Sequence, residues 1–549
     1  MCREIDFNND IKHLLILLLM GIPAYFSYII KNYPNIIQNK SVLKTIHNLY
    51  LDSNSIIYDA VRNIDETSGQ LFEEKLIKNV CEKLHYYILT LKPTERVIIA
   101  FDGVAPVAKL EQQRTRRVKS HILEETDKLC KKDLPNKCVW NKVAITPGTQ
   151  FMDKLMITIQ NHFKKPSSFG TKEIIVSSSH DCGEGEHKIF EYIRNNEDTH
   201  VDKHTVIYGL DADLIMLSIL HLPVCHHIYL FRETPEFIKQ LDNSLNANEL
   251  YLLHIPIIAD NIAAFMNSKM EMDSIMKNMR IYDYIFLCFF LGNDFMPHFP
   301  CLNIRTNGMD ILIECYASLF AGTHETLIHN KKIVWKNVKK LISTLALSEK
   351  DYILHEYKLR EKAEKRFYKC ETDSEIDNKL TNLPTLYRKK EHYINPNEKG
   401  WESRYYDTLF NVEYNKSRMK QICFNYLEAL EWTTAYYMDT CKNWRWKYNY
   451  NYAPLMSDLQ QYIPYFDDNL VDFCEKNPVS PYCQLAYVLP KQHLTLLPNK
   501  IREKLLEKCE YFYDVNNFNI EWSFCKYLWE SHLIMPHINI SNLEHILEN

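Results

Sequence analysis

Four short apolar runs in the first half of the chain each lead into an acidic residue. Leu49-Tyr50-Leu51 precedes Asp52, Val97 to Phe101 precedes Asp102, and Thr205 to Leu210 precedes Asp211. Ile174-Ile175-Val176 leads through a serine run to Glu184. Runs this short, partly β-branched and separated by helical periodicity, predict parallel strands of an α/β sheet. Ligands of such sheets bind at the carboxyl ends of the strands, where these acids fall. The expected fold is therefore α/β: a mainly parallel twisted sheet flanked by helices, with an acid-lined site at the strand ends. Residues 283–291 form an almost unbroken apolar run, which predicts a buried helix ending near Gly292. Residues 331–398 are charged and lysine-rich and predict exposed helices and a connecting segment. From Trp401 onward there is no glycine and much aromatic residue, which predicts a mostly helical region.

Composition narrows the function. The 549 residues give a prior of about three or four domains. With 46% hydrophobic and 25% charged residues, a disordered or fibrous chain is excluded. The net charge is -5, so this is no generally basic nucleic-acid coat, and any such contact must use a local basic patch. The 16 cysteines are scattered with no C-x-x-C pair, which argues against zinc ribbons and thioredoxin-type sites and for reduced thiols. The apolar run Leu14 to Leu19 is too short to span a bilayer, and no small-residue cleavage site follows it. No membrane association is expected.

Seven acids stand in distinctive settings: Asp52, Asp102, Glu184, Glu186, Asp211, Asp213, and Asp294 in Gly-Asn-Asp-Phe. Glycine is scarce, 12 residues where average usage would give about 38. Six of those 12 lie in or beside these motifs or the Ile-Thr-Pro-Gly-Thr turn: Gly103, Gly148, Gly183, Gly185, Gly209 and Gly292. Such a chain keeps glycine where backbone turns sharply or meets a ligand closely. In extended chain, acids at i and i+2 point to one side, so Glu184/Glu186 and Asp211/Asp213 are read as pairs lining one pocket. Converging carboxylates repel strongly without cations, and hard oxygen donors suit Mg²⁺ or Mn²⁺. Two ions about 4 Å apart activate water and stabilise a leaving oxygen. One such motif alone reads as a helix cap or surface charge; seven together favour a metal centre.

After Asp102, the residues Lys109, Gln113, Arg116 and Arg117 fall at i, i+4, i+7 and i+8, one face of a helix. Three cations and an amide there suit a terminal phosphate, which arginine grips bidentately.

These motifs, in this order, resemble the eukaryotic 5′→3′ exoribonuclease (XRN) family. The resemblance starts at Met20-Gly21-Ile22-Pro23 and runs through the acidic motifs, the Gln112 to Arg117 run and Phe286 to His298. It continues with Ser403-Arg404-Tyr405-Tyr406, Trp444-Arg445-Trp446, Tyr452-Ala453-Pro454 and Val488-Leu489-Pro490. The resemblance implies that all seven acids hold two Mg²⁺ ions, with Mn²⁺ as a substitute. It implies that Lys109, Gln113, Arg116 and Arg117 bind a 5′-monophosphate. It implies base stacking by Tyr58, which replaces the family's histidine, and by Trp444 or Trp446. Asn449 and Asn451 stand where the family carries proline and histidine, and Ser53 and Ser55 replace commoner neighbours of Asp52; none of these is a metal ligand. Residues 1–19 precede the family's usual start and are read as an extension of doubtful role. Residues 20–330 are read as the α/β nuclease region, 331–398 as a charged helical connecting segment, and 399–549 as a second region completing the pocket. The family's large C-terminal additions are expected to be absent.

The activity so implied is processive, metal-dependent 5′→3′ hydrolysis of single-stranded, 5′-monophosphorylated RNA to nucleoside 5′-monophosphates, by a monomer, in RNA turnover. No strong basic import signal is visible, which favours the cytoplasm. A structure-specific DNA flap nuclease and an inactive RNA-binding scaffold are the alternatives. The first lacks an expected glycine-bearing duplex-binding motif, and the intact set of acids argues against the second.

Overall fold

The computed structural model describes residues 24–548 except 63, 65–70, 131–139, 210, 233–244, 247–248, 466–468, 473 and 475–477, with no side chains described for 125–130. The extension read at 1–19 and the Met20 to Pro23 motif lie outside the described residues.

Seven strands form one sheet: β1 Ile37–Asn39, β2 Asn48–Asp52, β3 Arg96–Ala100, β4 Glu173–Ser177, β5 His204–Tyr208, β6 His227–Phe231 and β7 Tyr251–His254. Their spatial order is β1-β7-β6-β5-β2-β3-β4. Strands β2 to β6 are parallel; β7 is antiparallel to β6, and β1 to β7. All four sequence-predicted strands are present, as β2 to β5. The chain winds outward from β2 to β3 and β4, then returns to build β5 and β6 on the other side. The β2/β5 boundary is thus a topological switch point, where open α/β sheets form their ligand crevice.

Alternate residues of each strand serve opposite faces, because the side-chain period is two. Leu49, Leu51, Val97, Ile99 and Val206 join a core with the helices Phe72–Leu91 and Gln150–His162. Tyr50, Ile98 and Ile207 join a larger core on the other face, with Gly185–Asn195, Ala212–Leu220, Ile255–Met266 and Ser274–Phe289. The apolar run at 283–291 is the buried end of the last of these helices, which stops at Phe289, and the turn that follows it.

The second half is mostly helical, as expected, and is continuous with the first. The helix Lys416–Met438 lies in the larger core. The helix Pro481–Val488 packs with Val107 and Leu110 in a third core. Gly148 fits against it: φ is +89°, and a Cβ there would lie 2.7 Å from Pro481 Cβ.

The expected exposure of 331–398 needs correction. The helix Trp335–Ala346 buries Trp335, Val338, Leu341, Ile342 and Leu345 in the larger core. Its lysines fall between these positions at helical spacing, so a high lysine count coexists with one apolar face. Arg360 and Arg388 both pair with the buried Glu391, at 2.5 and 2.6 Å. Charge in this segment is therefore partly internal; composition cannot distinguish a paired buried arginine from a solvated one.

Candidate active site

The carboxyl ends of β2, β3, β4 and β5 bring six of the seven acids to one place, and Asp294 joins them through Lys109. Asp52 ends β2, and Asp102 follows β3 by two residues. Glu184 and Glu186 open the helix Gly185–Asn195; Asp211 and Asp213 open Ala212–Leu220. The expectation that each i, i+2 pair lies in extended chain is overturned here. Each first acid is an N-cap residue and each second acid lies in the first helical turn. The acids therefore sit at the positive ends of two helix dipoles, which favour negative charge. Asp211 also caps its helix, accepting from Leu214 N at 2.9 Å.

Carboxylate oxygens of Asp52, Glu186 and Asp211 lie within 4.8 Å of one another. Glu184, Glu186 and a ring nitrogen of His187 form a second such group. Gly185 lets the elements close. Its N–H donates to Asp102 Oδ1 at 2.7 Å, and a Cβ would lie 2.7 Å from Asp52 Oδ1. Asn54 clamps the remaining Asp102 oxygen, donating to Oδ2 at 2.5 Å.

Lys109 is the cation at the centre. Its ammonium lies 2.5 Å from Glu184 Oε2 and 2.8 Å from Asp294 Oδ2. Burial alone would lower its pKa; the charges of Asp294 and Glu184 outweigh burial and hold it well above the usual lysine range. The acids carry the opposite strain. Burial raises the pKa of Asp52, and Asp102 and Asp211 raise it further. Burial, then Asp211 and Asp213, pushes Glu186 well up. Burial and Asp294 bring Asp213 to about 8. Glu184 and Asp211 also rise through burial, against the opposing pull of Lys109 and the Leu214 N–H respectively.

This donor set fits hard divalent cations. It is all-oxygen at its centre, clustered, buried and short of positive charge. The structure thus contains a candidate acidic metal site.

Lys109, Gln113, Arg116 and Arg117 share the helix Val107–Cys130, as predicted. Lys109 lies among the acids. Arg117 Nη2 donates to Thr146 Oγ1 at 2.8 Å, while its buried Nη1 meets no acceptor among the described residues. Burial pushes the Arg117 pKa down to about 10, against the pull of nearby Tyr58. Gln113 Oε1 is buried and meets no donor among the described residues. Tyr58 is half-buried on the first core.

Trp446 stacks on Trp432, centroids 5.2 Å apart and planes at 23°. Trp432 stacks on Tyr436, and Tyr436 on His187 at 3.9 Å. This column runs from the tryptophan motif to the acids. Trp444 is half-buried, and its carbonyl accepts from Val107 N.

Several contributors to the site escaped the sequence reading. Tyr436 donates to Glu184 Oε1 at 2.8 Å and Tyr437 to Asp213 Oδ1 at 2.7 Å. Both come from the second half and have no glycine and no paired-acid motif beside them. Lys188 Nζ donates to the carbonyls of Phe101 and Ser178, tying the ends of β3 and β4 together. Lys188, Asn54 and His187 lie inside the acidic motifs and were findable there.

The fold and site define an α/β chain with an acidic centre at the switch point of a parallel sheet, completed by a helical second half. The family model "XRN 5'-3' exonuclease N-terminus" matches residues 20–234, and "Xrn1 helical domain" matches 275–390 and 386–549. The chain belongs to the XRN 5′-3′ exonuclease family. It is similar to "5'-3' exoribonuclease 1" of Saccharomyces cerevisiae, at 27% identity over 89% of this chain and 40% of the relative. It is similar to "5'-3' exoribonuclease 2" of Arabidopsis thaliana, at 25% identity over 95% of this chain and 66% of the relative. Against "5'-3' exoribonuclease 1" of Homo sapiens the identity is 25%, over 96% of this chain and 34% of the relative. The chain thus spans between about a third and two thirds of the length of these relatives. Among the described residues, no helix is long and apolar enough to cross a membrane.

Proposed function

We propose that the chain is a 5′→3′ exoribonuclease that degrades single-stranded, 5′-monophosphorylated RNA processively to nucleoside 5′-monophosphates. The observation that carries this reading is the convergence of the seven acids around Lys109, in a chain whose relatives are named exoribonucleases. Asp52, Asp102, Glu184, Glu186, Asp211, Asp213 and Asp294 would hold two Mg²⁺ ions, or Mn²⁺ in their place. Bound there, such ions supply positive charge to the scissile phosphate and lower the pKa of the attacking water. Water oxygen bonds to phosphorus, the bond from phosphorus to the first nucleotide's O3′ breaks, and a proton goes to that O3′. The next nucleotide then carries the new 5′-phosphate.

The chain's own residues set the register. Arg116, Arg117 and Gln113 would hold the 5′-phosphate, with the unpartnered Arg117 Nη1 as a donor of fixed position. Lys109, the fourth residue of that face, lies among the acids and would meet the 5′-phosphate from there. Tyr58 and Trp444 or Trp446 would stack on bases, which is sequence-tolerant and suits a processive enzyme. A cytoplasmic site of action and a monomeric state belong to the same proposal, and light scattering on the purified chain checks the second.

The test is a time course on 5′-monophosphorylated RNA, with and without Mg²⁺, for wild type and Asp211→Asn. Mg²⁺-dependent mononucleotide release, lost in the variant, is expected. Preference for 5′-flap DNA over RNA would replace this reading with the flap nuclease. Metal-independent RNA binding without release would replace it with the scaffold.

A further inference from the structure

A second cleft contains none of the residues of the acidic centre. It encloses about 720 Å³ and is lined by Arg366, Phe367, Tyr368 and Lys369, by the helix Asp373–Thr381 with Asn382, and by Tyr527 and Trp529. That volume lies within the range of ligand pockets, about 300–1,000 Å³. The lining is what separates it from an ordinary groove. Phe367 is 86% exposed, as exposed as any large apolar side chain described. It sits in the run Lys365-Arg366-Phe367-Tyr368-Lys369, in which cations flank two aromatics. Across the cleft, Tyr527 and Trp529 stack at 4.4 Å with planes at 23°. Arg305 and Lys526 both lie over the Tyr527 ring, at 5.5 and 5.0 Å. Trp529 Nε1 is buried and meets no acceptor among the described residues, an unmet donor in the cleft wall.

The charge in the cleft is available. Neither Arg366 nor Lys369 forms an ion pair among the described residues. The lining carboxylate, Glu375, is committed to its helix: Oε2 accepts from Glu371 N and Thr372 N. Free cations, exposed aromatic faces and a side-chain amide are the combination that holds single-stranded nucleic acid, with phosphates on the cations and bases on the rings.

We propose that this cleft is a second RNA-binding site, holding a stretch of the single strand outside the acidic centre. The wall of the cleft is anchored to the substrate helix. Lys119 Nζ donates to the carbonyls of Trp529 and Ser531. Lys119 follows Lys109 by ten residues, about 15 Å along the helix that carries the phosphate face. A strand reaching both places must extend beyond the acidic centre, so the cleft serves long substrates more than short ones. The choice of RNA rests on the exoribonuclease reading above.

The experiment uses the full chain carrying Phe367→Ala, and separately Arg366→Ala with Lys369→Ala; all three side chains are exposed, so folding is retained. Binding of a 5′-hydroxyl 20-mer oligouridine is followed by anisotropy in EDTA, which leaves the acidic centre out of play. Kd is expected to rise at least about fivefold for Phe367→Ala, the cost of one lost base stack. The double variant is expected to flatten the salt dependence by about one to two in slope. With Mg²⁺, KM should rise for the long RNA and stay unchanged for a tetramer. Wild-type affinity and slope in both variants would overturn the proposal, as would displacement of the 20-mer by 5′-AMP at equal concentration, which would assign the cleft to free nucleotide. Unchanged RNA binding together with loss of a co-purifying protein would assign it to a protein partner. Normal tetramer degradation in the variants would show that the activity stands even if the cleft proposal falls.

Discussion

Gly185 is the position where one added methyl group tests the arrangement most sharply. A Cβ there would lie 2.7 Å from Asp52 Oδ1, 3.3 Å from Ala100 O and 3.5 Å from Asp102 Oδ1. Comfortable non-bonded contact begins at about 3.5 Å. The Asp52 carboxylate must therefore retreat by about 0.8 Å, or the helix Gly185–Asn195 must back away and take Glu184 and Glu186 with it. Either shift exceeds the tolerance of about 0.5 Å within which a catalytic constellation must be held. Overpacking of this kind costs about 1–3 kcal/mol of stability, and a displacement near 1 Å costs about 10²-fold in rate. Gly170→Ala is the matched control. Its φ is +74°, so alanine is strained by about 1–2 kcal/mol, yet nothing lies within 4 Å of its Cβ. Both variants should lose comparable stability in a chemical denaturation series. Only Gly185→Ala should lose nuclease rate, by about a hundredfold at saturating Mg²⁺ and RNA. A folded Gly185→Ala protein within twofold of wild type would refute the placement of Asp52 against this helix.

Tyr437→Phe removes the donor to Asp213 and leaves a buried carboxylate short of one partner; in the metal-free chain the Asp213 pKa should rise further above about 8, read by a carboxyl-resolved NMR titration in chelator. Arg116→Ala with Arg117→Ala should abolish the preference for 5′-monophosphate over 5′-hydroxyl RNA, a loss of about tenfold or more for charge-assisted hydrogen bonds, read as a ratio of kcat/KM values. In chelator, Asp52, Glu184, Glu186, Asp211 and Asp213 hold protons in the folded chain that the unfolded chain releases near pH 4. Stability contributed by these groups should therefore fall as pH rises from about 4 to about 8, the Asp213 value, and the melting temperature should fall with it. Mg²⁺ should reverse that fall most strongly at the upper end of the window, where the acids are ionised.

The sheet was legible because parallel strands buried on both faces are near-continuous apolar runs, and because three of the four runs are closed directly by an acid of the centre. Strand order was not legible: nothing local in Leu49 to Asp52 says that β5 will return to its side, since that is decided by long-range packing. The i, i+2 pairs were recognised as pairs but misread as extended. A helix that begins at Gly185 has its starting signal masked, because its N-cap is a glutamate recruited to the site and makes no side-chain cap bond. The lysine-rich middle misled by composition, since one apolar face at helical spacing is enough to bury it. Tyr436 and Tyr437 were invisible for a further reason. They sit in a helix buried on most sides, where a tyrosine that donates to a buried acid and one that fills space have the same sequence surroundings.

Those two tyrosines explain why the second half is needed at all. The sheet alone gathers six acids and supplies them with Lys109, Asn54 and two helix N-termini, which leaves the inner oxygens of Glu184 and Asp213 facing the opposite side. A polar group buried without a partner costs more than the bond itself returns, so that side must be closed by donors and not by aliphatic packing. The helix Lys416–Met438 supplies them from consecutive residues, one hydroxyl to each acid, and its outward neighbour Trp432 carries the stack on to Trp446. The inner rings of the column, Trp432 and Tyr436, and the hydroxyls that steady the acids thus belong to one helix. Trp446 is thus connected to Glu184 through three stacked rings and a single hydrogen bond, a continuous line of contacts from the tryptophan motif to the acidic centre.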